Sequence, residues 1–187
     1  MVKIGLIVEG FSERIVLKSS AFVSFLQNTG LELVGDVVNL EGKGELKTAR
    51  MSTQVQLLRD QGAVRIFVLR DMDDAPCLTF VRQEVYQAAD VKVCVAVKEL
   101  EAWFLADSET LSTIFQQDFH FSLPEFEIKP LDTLKRLRLQ HQKIGISDKK
   151  LFAKMMVREG FTIERAAAHP NCPSARYFLT KLTEFAQ

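Results

Sequence analysis

The segment Val64–Leu69 reads V-R-I-F-V-L, nearly all β-branched or bulky apolar residues, and its shortness marks a strand rather than a helix. Lys3–Val8 is a second apolar run, of the kind that forms a strand buried on both faces. Further strands are expected at about Leu33–Leu40 and Val91–Val97. Helical spacing separates them. Ile15, Val16, Phe22, Val23 and Leu26 recur from Ser12 until Asn28-Thr29-Gly30 supplies a stop, and Leu46, Ala49, Met51, Val55 and Leu58 stripe a helix up to Asp60. A third helix is expected to open at Pro76 and run to about Ala89, and a fourth covers Lys98–Ala106. The order βαβαβαβα predicts an α/β domain over 1–107, with a largely parallel sheet of about four strands and helices on both faces. Beyond Asp107 only helices are expected, at Leu111–Phe115, Pro130–Gln140, Asp148–Arg158 and Ala175–Phe185, so 108–187 reads as a helical extension packed on the sheet.

Three cysteines without a CxxC, and three histidines that form no ligand pattern with them, argue against zinc and fit a reduced compartment. The apolar stretch before Glu9 is too short for a membrane span or a signal-peptide core, so the expected setting is cytoplasmic, without a membrane. Formal net charge is +0, but it is unevenly spread. Residues 129–165 hold ten basic against four acidic side chains, Lys149 and Lys150 among the basic ones. Such a run fits a phosphate polymer, and equally a solvated helix face.

Parallel strands deliver their C-terminal ends to one edge, where ligands bind. Glu9, Asp71 with Asp73, and Glu99 with Glu101 stand at three of those ends, and Glu13 follows Glu9 by one helical turn. In extended backbone Asp71 and Asp73 would point to the same side, and Glu9 and Glu13 would stack if the helix began by Gly10. So many carboxylates at one edge repel unless a cation neutralises them, and hard oxygen ligands suit Mg²⁺ or Mn²⁺. Such ions beside a phosphodiester support phosphoryl chemistry. Each residue alone has a plainer reading: Asp73 or Asp74 as the cap of the helix at Pro76, Ser12 as the cap of the first helix, Glu99 and Glu101 as first-turn acids. Caps do not account for Glu9, Asp71 and Asp73 together.

Val8-Glu9-Gly10-Phe11-Ser12-Glu13, followed after a later strand by Asp71-Met72-Asp73, resembles the Toprim domain of topoisomerases, primases and OLD-type nucleases. Those residues with Gly42-Lys43-Gly44, Val97-Lys-Glu-Leu-Glu-Ala-Trp-Phe-Leu-Ala-Asp107, and Cys172-Pro-Ser174 leading into Tyr177-Phe178 resemble a bacterial family of small Toprim-like proteins labelled a domain of unknown function. The wider resemblance covers about 1–107, and the narrower one almost the whole chain.

The resemblance implies a Toprim fold with Mg²⁺, or Mn²⁺, at Glu9, Asp71 and Asp73, and a second ion at Glu13 and a carboxylate after the fourth strand, Glu101 in preference to Glu99. Lys98 is then expected to stabilise charge on a phosphate, and Lys43, Lys149 and Lys150 to hold the nucleic-acid backbone. The expected activity is a Mg²⁺-dependent nuclease acting on DNA, with Glu9, Asp71, Asp73 and Lys98 as its catalytic set. The alternative is a non-catalytic regulatory or interaction module on the same fold. Relatives of this size resemble components encoded beside ATPases in bacterial defence against phage, which implies an ATPase partner; a homodimer is the other expected assembly. Tyr86 and Tyr177 have no motif supporting topoisomerase chemistry, 187 residues do not hold a primase's additional regions, and Gly42-Lys43-Gly44 lacks the Ser or Thr of an ATP-binding P-loop.

Overall fold

A computed structural model describes residues 1–142, 145 and 148–186; Lys143 of the basic run lies outside them. Strand β1 (Val2–Val8) opens the chain, followed by helices α1 (Phe11–Leu17) and α2 (Ser20–Asn28). Sequence periodicity suggests one helix here, but Ser19 adopts extended backbone (φ −65°, ψ 149°) and its hydroxyl accepts the Phe22 N–H, which starts a new helix. The strand expected at Leu33–Leu40 is likewise two pieces, β2 (Leu31–Leu33) and β3 (Val38–Asn39). Gly35, at φ +64°, turns the chain between them, a conformation open to glycine at little cost. A 3₁₀ turn at Lys43–Lys47 leads into α3 (Ala49–Asp60), then come β4 (Arg65–Asp71), α4 (Leu78–Gln83) and β5 (Val91–Ala96).

Helix α4 is shorter than the expected Pro76–Ala89. Its cap is Cys77, whose sulfur accepts the Phe80 N–H, and the Gln87 side-chain amide donates to the Arg82 and Val85 carbonyls, holding the chain in a turn beyond Glu84. Six further α-helices follow among the described residues: α5 (Glu101–Ala106), α6 (Ser108–Phe115), α7 (Pro130–Gln142), α8 (Lys149–Arg158), α9 (Ile163–Ala168) and α10 (Pro173–Thr183). No described helix is long and apolar enough to cross a membrane.

The five strands form one parallel sheet in the order β2–β1–β4–β5, with β3 pairing the far end of β1 beside β2. Both faces are covered, so strand residues alternate between two cores rather than between core and water. Ile4, Leu6, Val8, Phe67, Leu69, Cys94 and Ala96 face one core, and Ile7, Ile66, Val68, Val93 and Val95 the other. The second core is closed by α3, through Met51, Val55 and Leu58, and by Val81 of α4. The first is much larger. Trp103, Phe104, Phe152, Phe161 and Phe178 fill it, all fully buried, so the helices after Asp107 share one apolar core with the sheet. Each such side chain contributes about 1.5–3 kcal/mol of burial.

Polar contacts fix the C-terminal helices in place. Ser174 donates from its hydroxyl to Glu125 Oε1 at 2.5 Å and accepts the Trp103 indole N–H at 2.8 Å. The same hydroxyl accepts the Val97 N–H, which ties the start of α10 to the end of β5.

Candidate functional site

Sheet register sets the site. Val8 pairs with Leu69, so the next residues along, Glu9 and Arg70, stand side by side at the C-terminal edge. Arg70 Nε lies 3.6 Å from Glu9 Oε2, and the guanidinium is almost fully buried. One residue further, Asp71 alternates to the opposite face and meets the helices of the larger core. Its Oδ1 accepts the Leu100 N–H at 2.8 Å, and its Oδ2 lies 3.1 Å from Lys149 Nζ. The Lys149 ammonium also lies 2.9 Å from Glu101 Oε2.

The expected carboxylates therefore divide into two groups. Asp71 and Asp73 do not share a side, because the strand ends at Asp71 and Asp73 takes a left-handed backbone, φ +51°. Asp73 turns instead toward Lys43, whose Nζ donates to Oδ2 at 3.1 Å. Glu9 and Glu13 do not stack, since Glu9 precedes the N-cap Gly10 and only Glu13 is helical. An outer group of Glu9, Arg70, Asp73 and Lys43 thus lies beside an inner group of Glu13, Asp71, Glu101 and Lys149. Among the described residues no trio of His, Cys, Asp or Glu side chains is drawn together into a ready-made metal cage.

Burial dominates the electrostatics. It pushes the Glu9 carboxyl up to about 7, with repulsion from Asp71 adding and Arg70 opposing. It also lifts Glu101 to about 7 against the attraction of Lys149, and raises Glu13 well above the ordinary carboxylate range. Asp71 is raised for the same reason, although Lys149 and the Leu100 amide favour its charged form. Burial opposes the charge on Lys149, but Asp71, Glu101 and Glu13 hold its ammonium above its usual range. Glu9 Oε2, Glu13 Oε2 and Glu101 Oε1 are buried oxygens without a hydrogen-bond partner.

Two clefts open here. One, of about 320 Å³, is lined by Glu9, Ser12, Glu13, Asp71, Lys149 and Lys150. The other, of about 260 Å³, lies outside Asp73 and is lined by Lys98, Glu99, Lys129 and Asp132 among others. Lys98 and Glu99 thus stand at this outer cleft, while Glu101 is fully buried in the inner group, which distinguishes the two glutamates by position. Lys150 Nζ sits 3.5 Å from the centre of the Phe11 ring, at the mouth of the first cleft. The capping roles open to Ser12, Asp73 and Asp74 are not taken: Gly10 precedes α1 without a side-chain cap, and Cys77 caps α4.

Arg70 escapes sequence reading. A charged residue at the end of an apolar strand looks like a solvated terminus, and only the register with β1 places it against Glu9. Backbone strain collects here too: three of the four non-glycine left-handed residues among those described, Glu41, Asp73 and Lys98, line the two clefts. Such conformations cost about 1–3 kcal/mol each and persist where surrounding bonds fix them, here Asp73 N–H to the Lys98 carbonyl at 2.8 Å.

Gly10 has a steric role. A Cβ there would sit 2.8 Å from Glu13 Oε2, while its extended backbone (φ −139°) admits any residue. Gly10→Ala is therefore expected to displace the Glu13 carboxylate while leaving the circular-dichroism spectrum unchanged. A crystal structure of the variant checks this, and a Glu13 side chain in its parent position would show that the surrounding backbone gives way instead.

Neither a family model nor a curated protein matches this chain. Among solved structures, it is similar to the C-terminal region of the Burkholderia pseudomallei OLD protein, with 15% identity and a TM-score of 0.48 over 98% of this chain and 99% of that one.

Proposed function

We propose that this chain is a Mg²⁺-dependent nuclease of the Toprim type that hydrolyses phosphodiester bonds in nucleic acid, DNA foremost. The observation that carries the reading is the gathering of Glu9, Glu13, Asp71 and Glu101 at one sheet edge, with buried carboxylate oxygens that no hydrogen bond satisfies. An all-oxygen donor set of this charge fits Mg²⁺ or Mn²⁺. Glu9, Asp71 and Asp73 would hold one ion, and Glu13 with Glu101 would serve a second position. When bound, such an ion polarises a phosphoryl oxygen and lowers the pKa of water.

The chain's own groups supply the rest. Arg70 offsets part of the repulsion at Glu9 and keeps that carboxylate at the cleft. Lys43, Lys98 and Lys150 rim the two clefts with positive charge, suited to the phosphates on either side of the bond to be cut. An ATPase partner and a homodimer belong to the same proposal.

A proton and a metal ion compete for Glu9, which titrates at about 7. As pH falls below 7 the carboxylate neutralises, so Mn²⁺ affinity is expected to drop by about tenfold per pH unit and to level off above about pH 8. Glu9→Gln lowers affinity throughout and flattens this slope. Calorimetry between about pH 5.5 and 8.5, paired with nicking of supercoiled plasmid in Mg²⁺, tests both parts. A pH-independent affinity would sink the Glu9 assignment, and binding without nicking would assign the chain to the non-catalytic module instead.

A further inference from the structure

We infer that the Lys149 ammonium is the resident cation of the inner position, standing where Glu13, Asp71 and Glu101 would otherwise hold a second divalent ion. The inference rests on the metal-dependent reading of the same site and specifies its loading: Lys149 reserves the inner position, and the bound ion falls to Glu9, Asp71 and Asp73.

Geometry carries it. Lys149 Nζ bridges two carboxylates, 3.1 Å from Asp71 Oδ2 and 2.9 Å from Glu101 Oε2. An ion bound to those oxygens at about 2.1 Å would overlap the ammonium, so the two occupants exclude one another. The lysine is also held in place. It is the first residue of α8, whose N-cap Asp148 accepts the Leu151 N–H at 3.0 Å, and α8 packs along α1, which carries Glu13.

The surroundings show what the ammonium leaves unmet. One positive charge faces three buried carboxylates, and Glu13 Oε2 and Glu101 Oε1 remain without a hydrogen-bond partner. Glu101 is 0% exposed and Glu13 3%, so neither carboxyl is solvated as a surface group is. With the ammonium removed, this pocket has the charge and the oxygen ligands of a divalent-cation site. With it present, the number of ligands is adequate and the space is taken.

The experiment counts Mn²⁺ ions bound, by calorimetry and by loss of the free-ion electron paramagnetic resonance signal, in the parent chain, Lys149→Met and Lys149→Arg. Methionine keeps an unbranched stem without the charge, and arginine keeps the charge. The expected result is one additional ion in Lys149→Met relative to the parent, none in Lys149→Arg, and loss of the additional ion when Glu101→Gln is combined with Lys149→Met. Equal counts in the parent and Lys149→Met overturn the inference. The parent's own count tests the underlying reading separately: a parent chain that binds no Mn²⁺ overturns the metal-dependent function whatever the difference between variants. Should Lys149→Met fail to give the parent's circular-dichroism spectrum, Lys149→Gln, which retains a hydrogen-bond donor for Asp71, takes its place in the same comparison.

Discussion

Asp71→Asn is expected to lower Mn²⁺ affinity by about 100-fold or more and to abolish plasmid nicking, while the melting temperature stays within about 3 °C of the parent. The asparagine oxygen can still accept the Leu100 N–H that Asp71 Oδ1 accepts now. Two further effects oppose each other. Lys149 loses one of its two carboxylate partners, but a carboxyl whose charged form burial disfavours becomes neutral, which relieves repulsion with Glu9 and Glu13. Function and stability therefore separate at this position. Unchanged Mn²⁺ affinity in Asp71→Asn would show that the ion, if bound, sits elsewhere.

The largest stability effect lies away from the clefts. Asp107 is fully buried and accepts Arg165 Nε at 2.9 Å, Arg165 Nη2 at 3.0 Å, and the Thr110 hydroxyl and amide. Arg165 also reaches Thr110 Oγ1 and the Gly160 carbonyl, so this cluster ties the start of α6 to α9. Replacing Arg165 by methionine leaves a buried carboxylate without its cation, a change that costs about 3–5 kcal/mol. At about 2–4 °C per kcal/mol for a chain of this size, the melting temperature falls by roughly 6–20 °C. Differential scanning fluorimetry reads this directly, and a shift below about 2 °C would show the pair to be weakly coupled. Mn²⁺ binding by the folded variant is expected to match the parent, since neither residue lines a cleft.

The parallel sheet was legible because β1, β4 and β5 are buried on both faces, which produces unbroken apolar runs that periodicity detects at once. Breaks within elements were not. The division of the first helix at Ser19 and of the edge strand at Gly35 depends on backbone conformation at single residues, and α4 depends on a cysteine sulfur acting as a cap. Likewise, the carboxylates at the strand ends follow from topology, but which of them meet does not. Asp71 and Asp73 are two apart and would share a side in a continuing strand, yet the left-handed turn at Asp73 sends them to different lysines. In the sequence Lys149 is one member of a basic run. Its place between Asp71 and Glu101 needs the packing of α8 on α1, a contact between segments with no local signature.

The aromatic residues divide in the same way. Phe119 and Phe121 pack against the larger core, whereas Phe126, in the same stretch, is 72% exposed. Trp103 and Phe104 are fully buried, and Trp103 additionally donates its indole N–H to Ser174.

Lys149 lies 78 residues after Asp71, and that separation has a consequence for the newly made chain. At about 5–20 residues per second, a ribosome needs several seconds to extend from one to the other. Throughout that interval the strands and their acidic edge exist without the cation that finishes the inner group. The inner group is completed only once α8 has emerged and settled on α1, so the order of synthesis sets the acidic edge down well before its cation.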